Sequence, residues 1–487
     1  MEESAGRDGV AALTAQVRRD LARIAHPSMP WLEPRLASNG TAALDVLIVG
    51  AGQSGLAIAF GLMRAQVGNI LVIDKAKYGQ EGPWLSYARM RTLRSPKDYT
   101  GPDLDVPSLT YQAWHEARFG LESWRALEQI PRELWAEYLL WMRETTAVPV
   151  RNGWQAIDIV PEANDLIAVT IEDGGGRRET LRARKLVLAT GMEGMGGWWL
   201  PDFVSALPLR LRAHAADTID FDALRDKVVA VLGAGASALD NAAVALEHGA
   251  SEVHLFCRRS TPQLVQPYRW LTFAGFLRHL SNLDDAWRWR FMSTILGLRE
   301  GFPQETYDRC ARHAGFHLHT SAPWLDARSL GDRVEVETPQ GPFRADYLIC
   351  GTGVDMNFSR RPELGRFAAN IATWGDRYQP PLEQRDDRLA RFPYLGREYE
   401  LIEKRPGATP WIGNIHLFAI GSTMSFGPSG SSINAITTAV RKLVDGLTLG
   451  LFEGDVERHW RSLRSYDVQQ AVVPARVSGA KWPEGAG

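Results

Sequence analysis

A chain of 487 residues is too long for one ordinary hydrophobic core, so two or more domains are expected. Its 45% hydrophobic and 23% charged residues are those of a globular chain, and a net charge of -2 gives no reason to expect a nucleic-acid or membrane-surface partner. Three far-apart cysteines (Cys257, Cys310, Cys350), with no Cys-x-x-Cys, argue against a disulfide framework, a zinc site or a dithiol redox centre, and no metal site is expected.

The opening MEESAGRDGV is acidic and polar, unlike a secretory signal, and no apolar run approaches the roughly 20 residues of a membrane span, so a cytoplasmic location is expected. Residues 1–40 read as a helical arm followed by HPSMPWLEP, packing on the domain that follows. The segment ALDVLIVGAGQSGLAIAFGLMRAQVGNILVIDKA predicts a buried strand (46–49), the loop Gly50-Ala51-Gly52-Gln53-Ser54-Gly55, an apolar helix, and a second strand (70–73) ending at Asp74. Residues 166–191 predict a hairpin in which Ile167, Val169 and Ile171 alternate, closed by an apolar strand ending Ala189-Thr190-Gly191. The same order then recurs. VVAVLGAGASALDNAAVALEHGASEVHLFCRR, 228–259, predicts a strand, the loop Gly233-Ala234-Gly235-Ala236-Ser237-Ala238, a helix and a strand ending at Arg258-Arg259. Residues 267–325, rich in Trp, Phe, Arg and His, read as helices inserted in this second unit, serving as a lid or an oligomer contact. Residues 334–353 repeat the hairpin and end Gly351-Thr352-Gly353, and 375–410 read as a long loop. Residues 415–447 predict a strand, Gly421-Ser422, a Gly/Ser-rich turn and an amphipathic helix capped by Ser431 or Ser432; the tail from 473 is expected to fray.

Each glycine motif follows a strand, opens a helix and has a diagnostic residue about 25 positions on. The first glycine makes the turn, the second lets the backbone approach a pyrophosphate, and the third lets helix and strand pack closely, with Ala238 a tolerated substitute. The helix start then offers free N–H groups and a positive dipole end to the diphosphate. Asp74 suits the ribose diol of the adenosine in FAD. Arg258 suits a 2′-phosphate, hence NADPH, with Arg259 or Ser260 as second contact; the alternative is that both arginines are solvated surface charges. The FAD set is Gly50, Gly52, Gln53, Ser54, Gly55, Asp74, Lys75, Thr190, Gly191, Gly421, Ser431 and Ser432, the last two opening a helix toward the flavin pyrimidine oxygen. The NADPH set is Gly233, Gly235, Ala236, Ser237, Ala238, Arg258, Arg259, Ser260, Thr352 and Gly353. The expected fold is α/β, with two Rossmann-like dinucleotide-binding domains of three-layer ββα/βα architecture. The domains are an arm (1–40), an FAD domain (41–222 and 354–487) and an inserted NADPH domain (223–353).

An FAD glycine motif and an NADPH glycine motif, each closed by a Thr-Gly strand, resemble the class B flavoprotein monooxygenases over about 43–447. The resemblance implies that NADPH reduces the flavin, which takes up O₂ as a C4a-(hydro)peroxyflavin and oxygenates a heteroatom or carbonyl, the protein supplying orientation and exclusion of water. The FxGxxxH fingerprint of the flavin-containing and Baeyer–Villiger subgroups is only half met: His214 and Phe221 are present without the FxG, and His214 reads as a structural linker residue. Residues 84–120 instead resemble the substrate segment of the ornithine and lysine N-hydroxylases and, more closely, biosynthetic FAD-dependent oxidoreductases of amino-acid amines. That likeness implies that Lys97, helped by Arg94 and Arg91, holds a substrate carboxylate; the alternative is a surface lysine or an FAD contact. Where those enzymes carry a glutamine, five positions before the lysine, this chain has Thr92. The expected activity is oxygenation of the amine of a small amino-acid-like substrate, with O₂ as co-substrate. Baeyer–Villiger or sulfur oxygenation is the alternative, and a flavin disulfide reductase is disfavoured by the lack of a Cys-x-x-Cys.

Overall fold

The computed structural model describes residues 2–24, 27–430 and 432–471, so Ser431 and the tail expected to fray lie outside the described residues. Val46, Leu47 and Ile48 are fully buried in succession, the run of a strand covered on both faces, and Ala42–Val49 accordingly sits inside a parallel sheet. The strand order is Val150–Asn152, Ile70–Asp74, Ala42–Val49, Arg178–Gly191, followed by the antiparallel pair Leu166–Asp173 and Trp154–Glu162. Ile415–Ala419 returns to pair with Arg178–Gly191, and its five residues are all buried.

The second unit repeats this design. Its five parallel strands run Phe316–His319, Glu252–Phe256, Val228–Leu232, Tyr347–Cys350, Arg212–His214. One face packs on the helix Ala236–Glu247 through Val253, Leu255 and Ile349; the other meets a three-stranded antiparallel sheet, 326–345, through Ala230, Phe256 and Leu348. The boundary expected at 222/223 therefore falls late, because Arg212–His214 already completes the second sheet. The chain crosses between units twice, and the crossings pair: Gly197–Trp198 lies antiparallel to Val354–Asp355.

Two further expectations need correction. Residues 267–298 follow the second glycine motif in sequence, but Leu271, Phe276, Leu280, Trp289, Met292 and Ile295 pack into the core of the first unit. Of the remainder, Gln304–Ala311, Phe316–His319 and then Ala322 and Trp324 join the second, through Cys310, the edge strand and the core beneath the three-stranded sheet. The stretch 375–410 is not a plain loop: Trp374–Arg377 begins with a reciprocal cap between Thr373 and Asp376, and Asp386 caps Asp387–Ala390. The arm packs on the first unit, with Val17 fully buried, Trp141 Nε1 donating to Thr14 Oγ1 (2.9 Å) and Trp31 Nε1 to the Ala65 carbonyl (3.0 Å). No helix among the described residues is long and apolar enough to cross a membrane.

Candidate functional site

At the first glycine loop, Gly50 turns with φ 106°, and a Cβ there would lie 2.3 Å from the Ala189 carbonyl oxygen. A Cβ on Gly55 would lie 1.8 Å from the Gly50 carbonyl oxygen, so helix and strand close only with glycine at the third position. The helix Gln53–Arg64 starts at Gly52 with no side-chain cap, which leaves first-turn N–H groups of Gln53 and Ser54 for a ligand. Gln53 Oε1 meanwhile accepts from Trp135 Nε1 (3.2 Å). Asp74 stands at the strand end, each carboxylate oxygen accepting one backbone N–H, from Ala51 and Ala76 (both 2.7 Å), with lone pairs left for a ribose. Lys75 pairs with Glu193 (3.2 Å), just past Thr190-Gly191. Two buried polar atoms here have no partner among the described residues, Trp84 Nε1 and Thr190 Oγ1, and Trp84 lies against Gly82, itself beside Gly52. An uncapped helix start, an open carboxylate and orphaned donors around one glycine loop fit the adenosine diphosphate part of FAD.

The turn after Ile415–Ala419 is tightly built: Ser422 Oγ donates to the Ala419 carbonyl (2.8 Å), and a Cβ on Gly421 would lie 2.8 Å from Leu417 and Met195. Ser432 takes the N-cap position of Ile433–Glu453, but its hydroxyl makes no cap bond, so the position is as expected and the hydroxyl's role is not. Phe276 and Leu280, from the helices of 267–298, roof this turn at Gly427; Asn434 Nδ2 donates to Thr272 Oγ1 (3.4 Å), and its buried Oδ1 has no partner among the described residues.

The second glycine loop opens onto a cavity of about 1080 Å³ lined by Gly233, Gly235, Arg258, Arg259 and Thr352. Gly233 turns with φ 115°, and a Cβ on Gly235 would meet nothing within 4 Å, so the loop backbone faces open space. Ala236, Ser237 and Ala238 form the first turn of Ala236–Glu247 behind it, again with no side-chain cap. Ala238 fits because Gly351 stands opposite: a Cβ on Gly351 would lie 2.6 Å from that of Ala238. The paired arginines have divided their work. Arg259 donates to the Gly297 (2.7 Å) and Leu298 carbonyls at the end of the helix Asp285–Leu298. Arg258 is exposed and has no hydrogen-bonding or ionic partner among the described residues. Ser260 lies outside the cavity lining, while Thr352 and Gly353 tie down the crossing strand, Thr352 Oγ1 donating to the Trp199 carbonyl and Trp199 N to the Gly353 carbonyl (2.9 Å).

Three further arginines, Arg299, Arg388 and Arg391, enter the same cavity from segments far away in sequence. Arg299 sits at φ 65°, and its guanidinium is pushed down to about 10 by burial and then by Arg388, Arg258 and Arg259. A desolvated guanidinium among three others calls for an anion.

The residues expected to grip a substrate carboxylate lie elsewhere. Lys97 Nζ donates to the Trp124 (2.7 Å), Leu127 (2.6 Å) and Arg125 (3.5 Å) carbonyls and lies over the Trp124 ring, so its three hydrogens are spent on the end of the helix Leu121–Ala126. Arg94 donates to Asp240 (2.6 Å) and Arg91 to Glu247 (2.8 Å), both on the helix of the second glycine loop; Arg309, fully buried, joins the two acids from below. Burial pushes the Asp240 carboxyl up and Arg94 opposes it. These arginines are an interdomain ladder. Thr92 Oγ1 donates to Gln129 Oε1 (2.8 Å), which places a glutamine beside the position where one is missing. His214 stacks on Trp198 (5.0 Å) at the crossing, its imidazole pushed down to about 4 by burial, in keeping with a structural role. The three cysteines are buried and unpaired, and burial pushes Cys310 and Cys350 up to about 12, so no thiolate is at hand for disulfide chemistry.

Comparison with known proteins agrees with this architecture. The FAD-NAD(P)-binding family matches residues 47–193. The chain is 40% identical over 476 residues to the FAD-dependent urate hydroxylase of Xanthomonas campestris pv. campestris, covering 98% of each chain. Among solved structures it is similar in fold to the ornithine hydroxylase of Pseudomonas aeruginosa (TM-score 0.65, 15% identity, 84% of this chain and 100% of that one). It is likewise similar to the L-lysine 6-monooxygenase of Pseudomonas syringae (TM-score 0.64, 18% identity, 83% and 99%).

Proposed function

Because the chain belongs to the FAD- and NADPH-dependent flavoprotein monooxygenases, in the same family as the Xanthomonas urate hydroxylase, we propose that it hydroxylates urate or a closely related oxidised purine. The observation that carries this reading is the 40% identity running over 98% of both chains. The amine-oxygenating neighbours share the fold at 15–18% identity, and the lysine that would anchor an amino-acid carboxylate is already bound to three carbonyls. A purine substrate also needs no carboxylate anchor.

FAD, when bound, supplies reduction by NADPH and activation of O₂. The chain's own residues do the rest. The Gly50–Gly55 loop and Asp74 hold the FAD diphosphate and ribose, and Lys75 and Thr190 flank them. The Gly233–Gly235 loop holds the NADPH diphosphate, and Arg258, with Arg299 behind it, holds the 2′-phosphate. The Arg94–Asp240 and Arg91–Glu247 pairs fix the angle between the two units, and so the approach of one coenzyme to the other. Helices 267–298 exclude water over the turn at 421–430, and Asn434 Oδ1 offers an acceptor to a ring N–H nearby. The test is NADPH oxidation by the yellow protein with urate, ornithine, lysine, aspartate, sulfides and ketones in turn, scored by product mass. Urate must be consumed with NADPH; an amine product with urate untouched rejects the purine reading.

A further inference from the structure

The strand that leads into Arg258 and the edge strand beside it bring together four metal-capable side chains outside the coenzyme sites. Glu252-Val253-His254 lies on Glu252–Phe256, and His317-Leu318-His319 on the edge strand Phe316–His319. Strand side chains alternate faces, so each triplet presents its outer two residues on one side. The parallel register sets His254 against His317 and Phe256 against His319, which gathers all four on the same face. The His254 ring stacks on His317 at 4.4 Å and His319 at 5.2 Å, and one ligand atom each from Glu252, His254 and His317 lie within 4.8 Å of one another.

The hydrogen bonds within this cluster have the form of a metal site's outer support. His254 Nδ1 faces His319 Nε2 at 2.9 Å, and His254 Nε2 faces Glu252 Oε2 at 2.8 Å. The 2.8 Å between His254 Nε2 and Glu252 Oε2 is spanned by one proton, and a cation bound there would displace it while Nδ1 donates to His319. His254 is held under the Phe343 ring at 4.5 Å and is only 9% exposed, so its orientation is fixed. Glu252 and His317 are exposed, which gives an ion access from solvent.

We propose that Glu252, His254 and His317, backed by His319, bind one borderline divalent transition metal of the zinc class, clamping the edge strand of the NADPH-side sheet. Two imidazoles and one carboxylate select zinc over magnesium or calcium, which take all-oxygen sets, and leave a fourth tetrahedral position to water. The clamp joins a strand that leads into Cys257-Arg258, and Cys257 N donates to the His319 carbonyl (2.9 Å), so the ion stabilises the segment bearing the proposed 2′-phosphate arginine.

The experiment uses the FAD-loaded protein, free of any affinity tag and dialysed against chelator, titrated with zinc by calorimetry and with cobalt by visible absorption. Wild type should take up one zinc per chain, give a tetrahedral cobalt spectrum and melt at a higher temperature with zinc. His317→Ala and Glu252→Gln, both at exposed positions, should bind zinc about 10–100-fold more weakly and lose the thermal shift, with flavin content unchanged. A wild-type protein that binds no zinc shows that the cluster is a hydrogen-bonded chain only. Zinc uptake unaltered in both variants puts the ion elsewhere. Either result overturns the proposal.

Discussion

The division of labour between Arg258 and Arg259 makes a sharp prediction. Arg258 has no protein partner among the described residues, so Arg258→Ala removes no bond from the apoprotein and should leave its melting temperature unchanged. A charge-assisted contact to a 2′-phosphate is worth about 1.5–3 kcal/mol. At about 1.4 kcal/mol per tenfold, the variant should bind NADPH about 10- to 150-fold more weakly while binding NADH as before. Arg259→Ala should behave differently. It releases the Gly297 and Leu298 carbonyls at the end of Asp285–Leu298, the helix that leads into Arg299, and should weaken both coenzymes and lower stability. Anaerobic stopped-flow reduction of the flavin, titrated with each coenzyme, separates the cases. Equal weakening of NADPH and NADH by Arg258→Ala, or no effect on either, refutes the 2′-phosphate assignment.

Four other substitutions probe the frame. Arg94→Ala leaves the buried Asp240 carboxylate with the Thr306 hydroxyl at 3.1 Å and Arg309 at 3.9 Å; it should cost about 3 kcal/mol of stability and slow flavin reduction at saturating NADPH, and should be less than additive with Asp240→Asn in a thermal-melt cycle. Gly351→Ala puts a Cβ 2.6 Å from that of Ala238 and should destabilise by about 1–3 kcal/mol, with partial rescue by Ala238→Gly in denaturant titration. Lys97→Met should lower stability by about 1–2 kcal/mol through the loss of bonds to the end of Leu121–Ala126, yet leave KM for the organic substrate within about twofold; a tens-fold rise in KM would restore its substrate role. His214 is held at about 4 against an ordinary 6.5, so the unfolded chain binds the extra proton first and stability falls as pH drops from 6.5 to 4, by about 3 kcal/mol in all. His214→Asn, whose amide oxygen can still accept the Ala216 N–H, should flatten that part of the stability–pH curve.

What could be read from sequence was whatever chemistry ties to fixed spacing. The glycine loops are legible because a strand-to-helix turn at φ near 110° and a helix packed on its own loop admit few residues at set positions. Arg258 is legible as a candidate because it lies just past the strand Glu252–Phe256 that follows the loop and its helix. Arg299 and Arg388 were missed because they reach the cavity from a helix end and a later short helix, and no local pattern marks convergence across the fold. Lys97 was read from a short motif alone, and its bonds to the carbonyls that end the helix Leu121–Ala126 needed the fold to be seen. Helices 267–298 were placed in the second unit by chain order, whereas Trp289 and Met292 bury themselves in the first, and an apolar face does not name its partner. The histidine cluster needed the register of two strands separated by some sixty residues, and each half alone shows only two ligands.

The most direct test of the central claim is turnover of urate by the FAD-loaded protein with NADPH under isotopically labelled dioxygen. The account predicts that urate is consumed in step with NADPH and that the product carries one labelled oxygen atom. NADPH consumed with only labelled hydrogen peroxide formed and urate intact, or urate oxidised without label, would contradict it.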